Sequence, residues 1–275
     1  MLICKRYIIS LTKDFLKGTI IGSSMLIPGL SGGTAAIILD IYDRLTEAAG
    51  GLFRTPKKAV MYLLPFAAGG LCGAYLFSGL VIALIDSQYE LSMFFFIGAI
   101  LGAVPLLVKK SGIRPGEMYY AVFALFGAAA AVGIRFIPAA KPGEGSFIIN
   151  IVCGFIIAVG MVLPGISTSH LLLIMGMYEA VWGCLHNPDI VFLLPLLIGA
   201  AAGTVLTAEL TDKAIKKYPA ASYMVITGFV MSSVYDIFPK NTDSSRLPVY
   251  ILLCFAGFIT VYIITRFADR NKQCS

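Results

Sequence analysis

Two short stretches hold the residue types that could do chemistry: IPGLSGGT at residues 27–34 and LPGISTSH at residues 163–170, each inside a long apolar segment. Proline ends a helix, because it lacks an N–H and clashes with the preceding turn, and glycine admits dihedrals other residues avoid. A helix that restarts after such a break exposes N–H groups with no intrahelical partner. Their partial positive charge suits an anion, phosphate above all. The candidate phosphate-binding residues are therefore Pro28, Gly29, Ser31, Gly32, Gly33 and Thr34 in the first stretch. In the second they are Pro164, Gly165, Ser167, Thr168, Ser169 and His170. His170 could also titrate with pH, although Thr34 at the matching position carries no charge.

Ionisable residues in apolar segments are functional candidates by default. Asp43 and Glu179 each follow a tyrosine at matching places, and with Arg44 they are the candidates for coupling or gating, a proton or sodium being the candidate coupling ion. Glu209 and Asp236 lie near segment ends and read as solvated, and Arg135 reads as an interfacial anchor. Neither Ser31 nor Ser167 has a cation or base beside it and no E-x-x-x-E occurs, so no catalytic residue is assigned. The six cysteines form no CxxC pair and the two histidines lie sixteen residues apart, which argues against a metal site, a disulfide framework and a cofactor.

The elements that must position these groups are set by composition. Of 275 residues 58% are hydrophobic and 13% charged, and the mean hydropathy is +0.87. That is an all-α polytopic membrane protein. The net charge of +6 comes from short basic clusters between apolar spans, which orient a chain in a bilayer rather than bind nucleic acid. Six full spans are predicted near 60–85, 92–108, 118–137, 190–210, 220–238 and 249–266. Segments 18–48 and 148–182 are interrupted, and the ten residues before Pro28 reach only about 15 Å as helix, the depth of a re-entrant hairpin. With the N-terminus cytoplasmic and both interrupted segments re-entrant, 17 of the 21 basic residues fall inside.

Residues 18–42 align without gaps to 154–178 with nine identities in 25 positions, including Pro28 with Pro164, Ser31 with Ser167 and Tyr42 with Tyr178. Further on, LLPFAAGGLCG at 63–73 faces LLPLLIGAAAG at 193–203 at an offset of 130. The layout is a cytoplasmic interfacial helix at 1–17, one unit at 18–137, a second at 148–266 and a cytoplasmic tail at 267–275. Each unit is one re-entrant hairpin plus three spans, so an odd number of crossings inverts the second relative to the first. Broken helices at matched places in inverted halves point to a midplane binding site in a transporter.

At IPGLSGGTAAIILDIYDRL (27–45) and LPGISTSHLLLIMGMYE (163–179) the chain resembles the polyprenyl-phosphate transporters, the undecaprenyl phosphate translocases. It departs from the family's pattern at Asp40, where glycine is usual, and at Thr168 to His170. The resemblance implies recycling of undecaprenyl phosphate, the carrier lipid of cell-envelope synthesis, from the outer to the inner leaflet of the cytoplasmic membrane. The implied partners are that lipid and the membrane, and a homo-oligomer is compatible with the pattern. Two alternatives stand beside it: an ion-coupled carrier of a small anion, and a membrane enzyme similar to the undecaprenyl-diphosphate phosphatases.

Overall fold

The computed structural model describes residues 2–26, 31–114, 116–136, 146–166, 168–177, 180–181, 189–240 and 242–273. Among them every regular element is helical. The first half runs α1 (Leu2–Ser24), α2 (Gly32–Ile38), α3 (Tyr42–Gly50), α4 (Pro56–Ser87), α5 (Tyr89–Ser111) and α6 (Ala121–Arg135). The second runs α7 (Phe147–Val162), α8 (Thr168–Ile174), α9 (Ile190–Lys217), α10 (Pro219–Ile237) and α11 (Leu247–Gln273).

Among the described residues five helical stretches are long and apolar enough to cross a membrane: Pro56–Leu80, Tyr89–Ser111, Ile190–Lys217, Pro219–Ile237 and Ser244–Arg266. This is a multi-pass membrane protein. The sixth expected span, 118–137, is a shorter apolar helix over Met118–Ile134, and residues 137–145 lie outside the described ones. α1 runs unbroken across residue 17, so the segment read as interfacial is continuous in helix with residues 18–24.

Several helix ends follow from local chemistry. Pro56 and Pro219 take the first turn of α4 and α10, where a missing N–H costs nothing. Asp189 caps α9 by accepting the Val191 N–H at 2.9 Å. α5 ends with Lys109 and Lys110 facing the negative end of its dipole, followed by Gly112 in the left-handed conformation at φ 69°.

Packing between spans rests on glycine. Lipid offers no hydrophobic drive to pair helices, so close backbone approach must supply contact. A Cβ added at Gly18 would lie 2.4 Å from the Phe66 carbonyl oxygen, and one at Gly154, 136 residues on, would lie 1.9 Å from that of Leu196. These contacts join α1 to α4 and α7 to α9. Gly98 meets the Cys254 carbonyl in the same way, at 1.8 Å, and Gly228 meets that of Ala124 at 2.0 Å. Here the partners are crossed: the last helix of each half, α6 or α11, packs on the second long helix of the other, α10 or α5. Equivalent residues at offsets of 136 and 130 thus make equivalent contacts, and the halves interlock.

The short helices sit inside this frame. Ile37 of α2 packs with Met93, Ile100 and Leu107 of α5 and Val230 of α10, all nearly without exposure. α8 is held by a separate cluster of Leu172, Met177, Cys153 and Leu196. α2 and α8 end in the same turn. Ile41 N–H reaches back to the Ala36 carbonyl at 2.9 Å, and Met177 N–H to that of Leu172 at 3.0 Å, each spanning five residues.

Candidate substrate site where the two broken tips meet

Ser31 precedes α2 with an extended backbone, φ −82° and ψ 154°, and caps that helix by accepting the Thr34 N–H at 3.2 Å. The same Oγ accepts the N–H of Gly165, 134 residues away, at 3.1 Å. With two N–H groups on its lone pairs, the Ser31 hydroxyl has its own proton left for the Thr34 Oγ1 at 3.0 Å. The two broken tips therefore touch through one hydroxyl oxygen. Gly33 packs against Pro164 so closely that a Cβ would lie 3.2 Å from its Cα.

Each residue in this contact is there for a steric or valence reason. Gly165 has φ +79°, and a Cβ on it would come 2.2 Å from the Phe229 carbonyl oxygen, so no other residue fits without displacing α10. Pro164 and Thr34 are fully buried. The break at Pro164 leaves the Val162 carbonyl at the end of α7, and the Tyr42 hydroxyl donates to it at 3.0 Å. That is a second tie between the halves.

The expectation that restarting helices offer free amides is only partly met. Thr34 and Gly165 N–H are both taken by Ser31, because an unpaired buried amide costs roughly 1–3 kcal/mol. Thr168 opens α8 and packs on α7, its Oγ1 3.0 Å from where a Cβ of Gly160 would be. Ser169 and His170 fall within α8. Pro28, Gly29, Ser167 and Glu179 lie outside the described residues.

A charged cluster stands behind the first tip. Asp40 adopts the left-handed conformation at φ 53°, and the matching position in the second half is Gly176 at φ 65°. The carboxylate of Asp40 is buried and lies 2.6 Å from Lys110 Nζ, which is also 2.7 Å from Asp43 Oδ2. The Tyr223 hydroxyl donates to Asp43 Oδ1 at 2.5 Å, and Lys110 Nζ lies 5.6 Å from the Tyr223 ring centre. Three of the four members sit on different neighbouring elements: Asp43 on α3, Lys110 on α5 and Tyr223 on α10.

Lys110 and Tyr223 were not among the expected site residues, since the Lys109–Lys110 pair read as an orientation signal. A signal for Lys110 was present in the register of α5. It continues the face of Ile100, Ala103 and Leu107, each 0% exposed. Arg44 is exposed. Glu209, expected to be a solvated end, pairs with Arg54 and, at 2.8 Å, Lys213; Glu47 pairs with Lys216 at 2.7 Å, so ion pairs bind α3 and the loop after it to α9.

A family model described as undecaprenyl phosphate translocase-like matches residues 21–251, which include both tips and the charged cluster. The chain belongs to this family. A polyprenyl-phosphate transporter of Staphylococcus aureus is 31% identical over 280 residues, covering 94% of this chain and 98% of that protein. One of Vibrio cholerae is 28% identical, covering 85% of this chain and 80% of the relative. No solved structure matches. For a member of the translocase-like family, the departure at Asp40 has a physical reading: its side chain takes up the ammonium of Lys110 while its backbone tolerates a turn that usually takes glycine.

Proposed function

We propose that the chain moves a polyprenyl phosphate between the leaflets of the cytoplasmic membrane, from outer to inner, returning a carrier lipid for reuse in envelope synthesis. The phosphate headgroup cannot cross hydrocarbon unaided, whereas the tail is at home in it. A translocase therefore has to build a path for the headgroup alone.

The observation that carries this reading is the bond from the Gly165 N–H to Ser31 Oγ, which brings both broken tips to one point inside a membrane protein. In the proposed cycle Ser31 Oγ stands where a phosphate oxygen goes. When the tips part, the amides of Thr34 and Gly165 and the hydroxyls of Ser31 and Thr34 become available together. Ser167, Thr168, Ser169 and His170 complete the donor set from the second tip. The names of the relatives and the match of the family model support the substrate class.

Two inverted units with re-entrant hairpins at 18–48 and 148–182 let the site open to either face by matched movements. The equivalent glycine contacts of the two halves support that arrangement. Both termini are cytoplasmic in this scheme, in keeping with the 17 basic residues on that side. Asp43 is the proposed coupling residue: taking up a proton, or facing a sodium ion, would loosen its hold on Lys110 and Tyr223. The group needs no chemistry on the substrate, and transport rather than hydrolysis is the activity proposed.

The test is reconstitution into liposomes carrying a fluorescent polyprenyl phosphate in both leaflets, with a membrane-impermeant quencher added outside. Protein-dependent exposure of the protected pool is expected, and Ser31→Ala should slow it. Scrambling no faster than in empty liposomes would overturn the reading.

A further inference from the structure

An apolar groove of about 730 Å³ lies between α6, α9 and α10. It is lined by Phe123 and Phe126 of α6, by Ala221, Val225 and Phe229 of α10 and by Ala214 of α9. Leu163 lines it as well, one residue before the Pro164–Gly165 tip. Among the described residues no charged side chain lines the groove. Phe126 is 67% exposed, so the groove opens sideways toward the lipid rather than into the protein.

The groove breaks the likeness between the halves. At an offset of 130, Ala214, Ala221 and Val225 correspond to Leu84, Leu91 and Phe95. Elsewhere the halves match closely: Gly127 abuts the Val225 carbonyl as Gly257 abuts that of Phe95. The backbone frame is shared while the side chains are redistributed: the groove is smaller at Ala214, Ala221 and Val225, and larger at Phe126 and Phe229, where the other half has Ala256 and Ala99.

We infer that this groove seats the first isoprene units of a polyprenyl phosphate whose headgroup lies at the tips; the inference rests on the transport function proposed above. Three features select the occupant. The lining is uncharged and, apart from the hydroxyls of Thr211, Tyr218 and Ser222, apolar, which suits hydrocarbon. Leu163 places the groove beside the amide of Gly165, so an occupant there can present an anion to the tips. A groove of drug-molecule size has room for one short stretch of tail, the segment nearest the phosphate, and leaves the remainder in the bilayer. A glycerophospholipid brings two chains and a glycerol to be accommodated at the same place.

The experiment uses the full chain in nanodiscs and a farnesyl phosphate analogue with a photoreactive group in its tail. Labelling is expected on peptides of α6 and α10, competed by undecaprenyl phosphate and not by dioleoyl phosphatidic acid. Ala221→Leu and Val225→Phe, which install the side chains of the other half, should reduce labelling at least about tenfold by displacing tail contacts. Ala214→Leu lies on an exposed face and tests the same space without burden on the core. Equal competition by phosphatidic acid would overturn the inference, making the groove an ordinary lipid-facing surface. Undiminished labelling and transport in all three variants would also overturn it, while leaving transport by the wild type standing. Neither labelling nor transport in the wild type would instead overturn the transport function, and the groove's role with it.

Discussion

Asp40 and Gly176 occupy the same place in two copies of one turn, at φ 53° and 65°. In the second half the left-handed turn is made by the residue that adopts it without strain. In the first it is made by an aspartate whose carboxylate meets Lys110 at 2.6 Å. Backbone strain of about 1 kcal/mol accompanies that choice. Asp40→Asn keeps the turn and removes the charge, whereas Asp40→Gly removes both charge and strain. Thermal unfolding in detergent should therefore rank Asp40→Gly above Asp40→Asn by up to about 1 kcal/mol. The reverse order would mean that the turn is unstrained.

Removing the shared hydroxyl should cost more than a surface change. Ser31→Ala leaves the N–H groups of Thr34 and Gly165 without their acceptor. A loss of roughly 2 kcal/mol in stability is expected, in the range for orphaned buried amides. Transport should fall with it, and Ser31→Thr, which retains the oxygen, should recover a measurable part of both.

Glycines divide into those that touch and those that do not. Gly98→Leu forces α5 from α11, since even a Cβ would lie 1.8 Å from the Cys254 carbonyl. Loss of about 3 kcal/mol or failure to assemble is expected, as in other overpacked interiors. Gly79→Ala meets nothing within 4 Å and sits inside α4. It should be neutral or stabilising by about 0.5–1 kcal/mol through helix propensity. The comparison of melting temperatures checks both signs.

Charge balance makes a further prediction. Lys110→Met leaves the carboxylates of Asp40 and Asp43 facing a site without its ammonium. Such a break in a buried ion pair costs roughly 3–5 kcal/mol. Adding Asp40→Asn to Lys110→Met should restore much of that stability, because the double variant removes one uncompensated charge. A double-mutant cycle with no coupling would show that the cluster is not one unit.

Much of this molecule is legible in its sequence, for reasons that are local. Hydropathy over some twenty residues marks the long helices, because the bilayer sets their length. Pro28 and Pro164 with their glycines mark the breaks, because dihedral limits and missing N–H groups act within one turn. The short helix over Met118–Ile134 was less legible: an apolar run shows that a segment suits lipid, not how far its helix extends. The charged residues from Lys5 to Lys17 end no helix: α1 runs through them to Ser24, since charges at one end of a helix do not stop it.

The sequence by itself determined the class of protein, the repeat and the two breaks, which depend on composition, spacing and self-similarity. Only the tertiary structure decided that Ser31 Oγ holds the Gly165 amide, that Lys110 turns inward to Asp40 and Asp43, and that a groove opens beside Leu163. Each of these depends on which helices cross, and how closely. The partners lie far apart along the chain, 67 residues for Lys110 and Asp43 and 134 for Ser31 and Gly165, where no local pattern reaches.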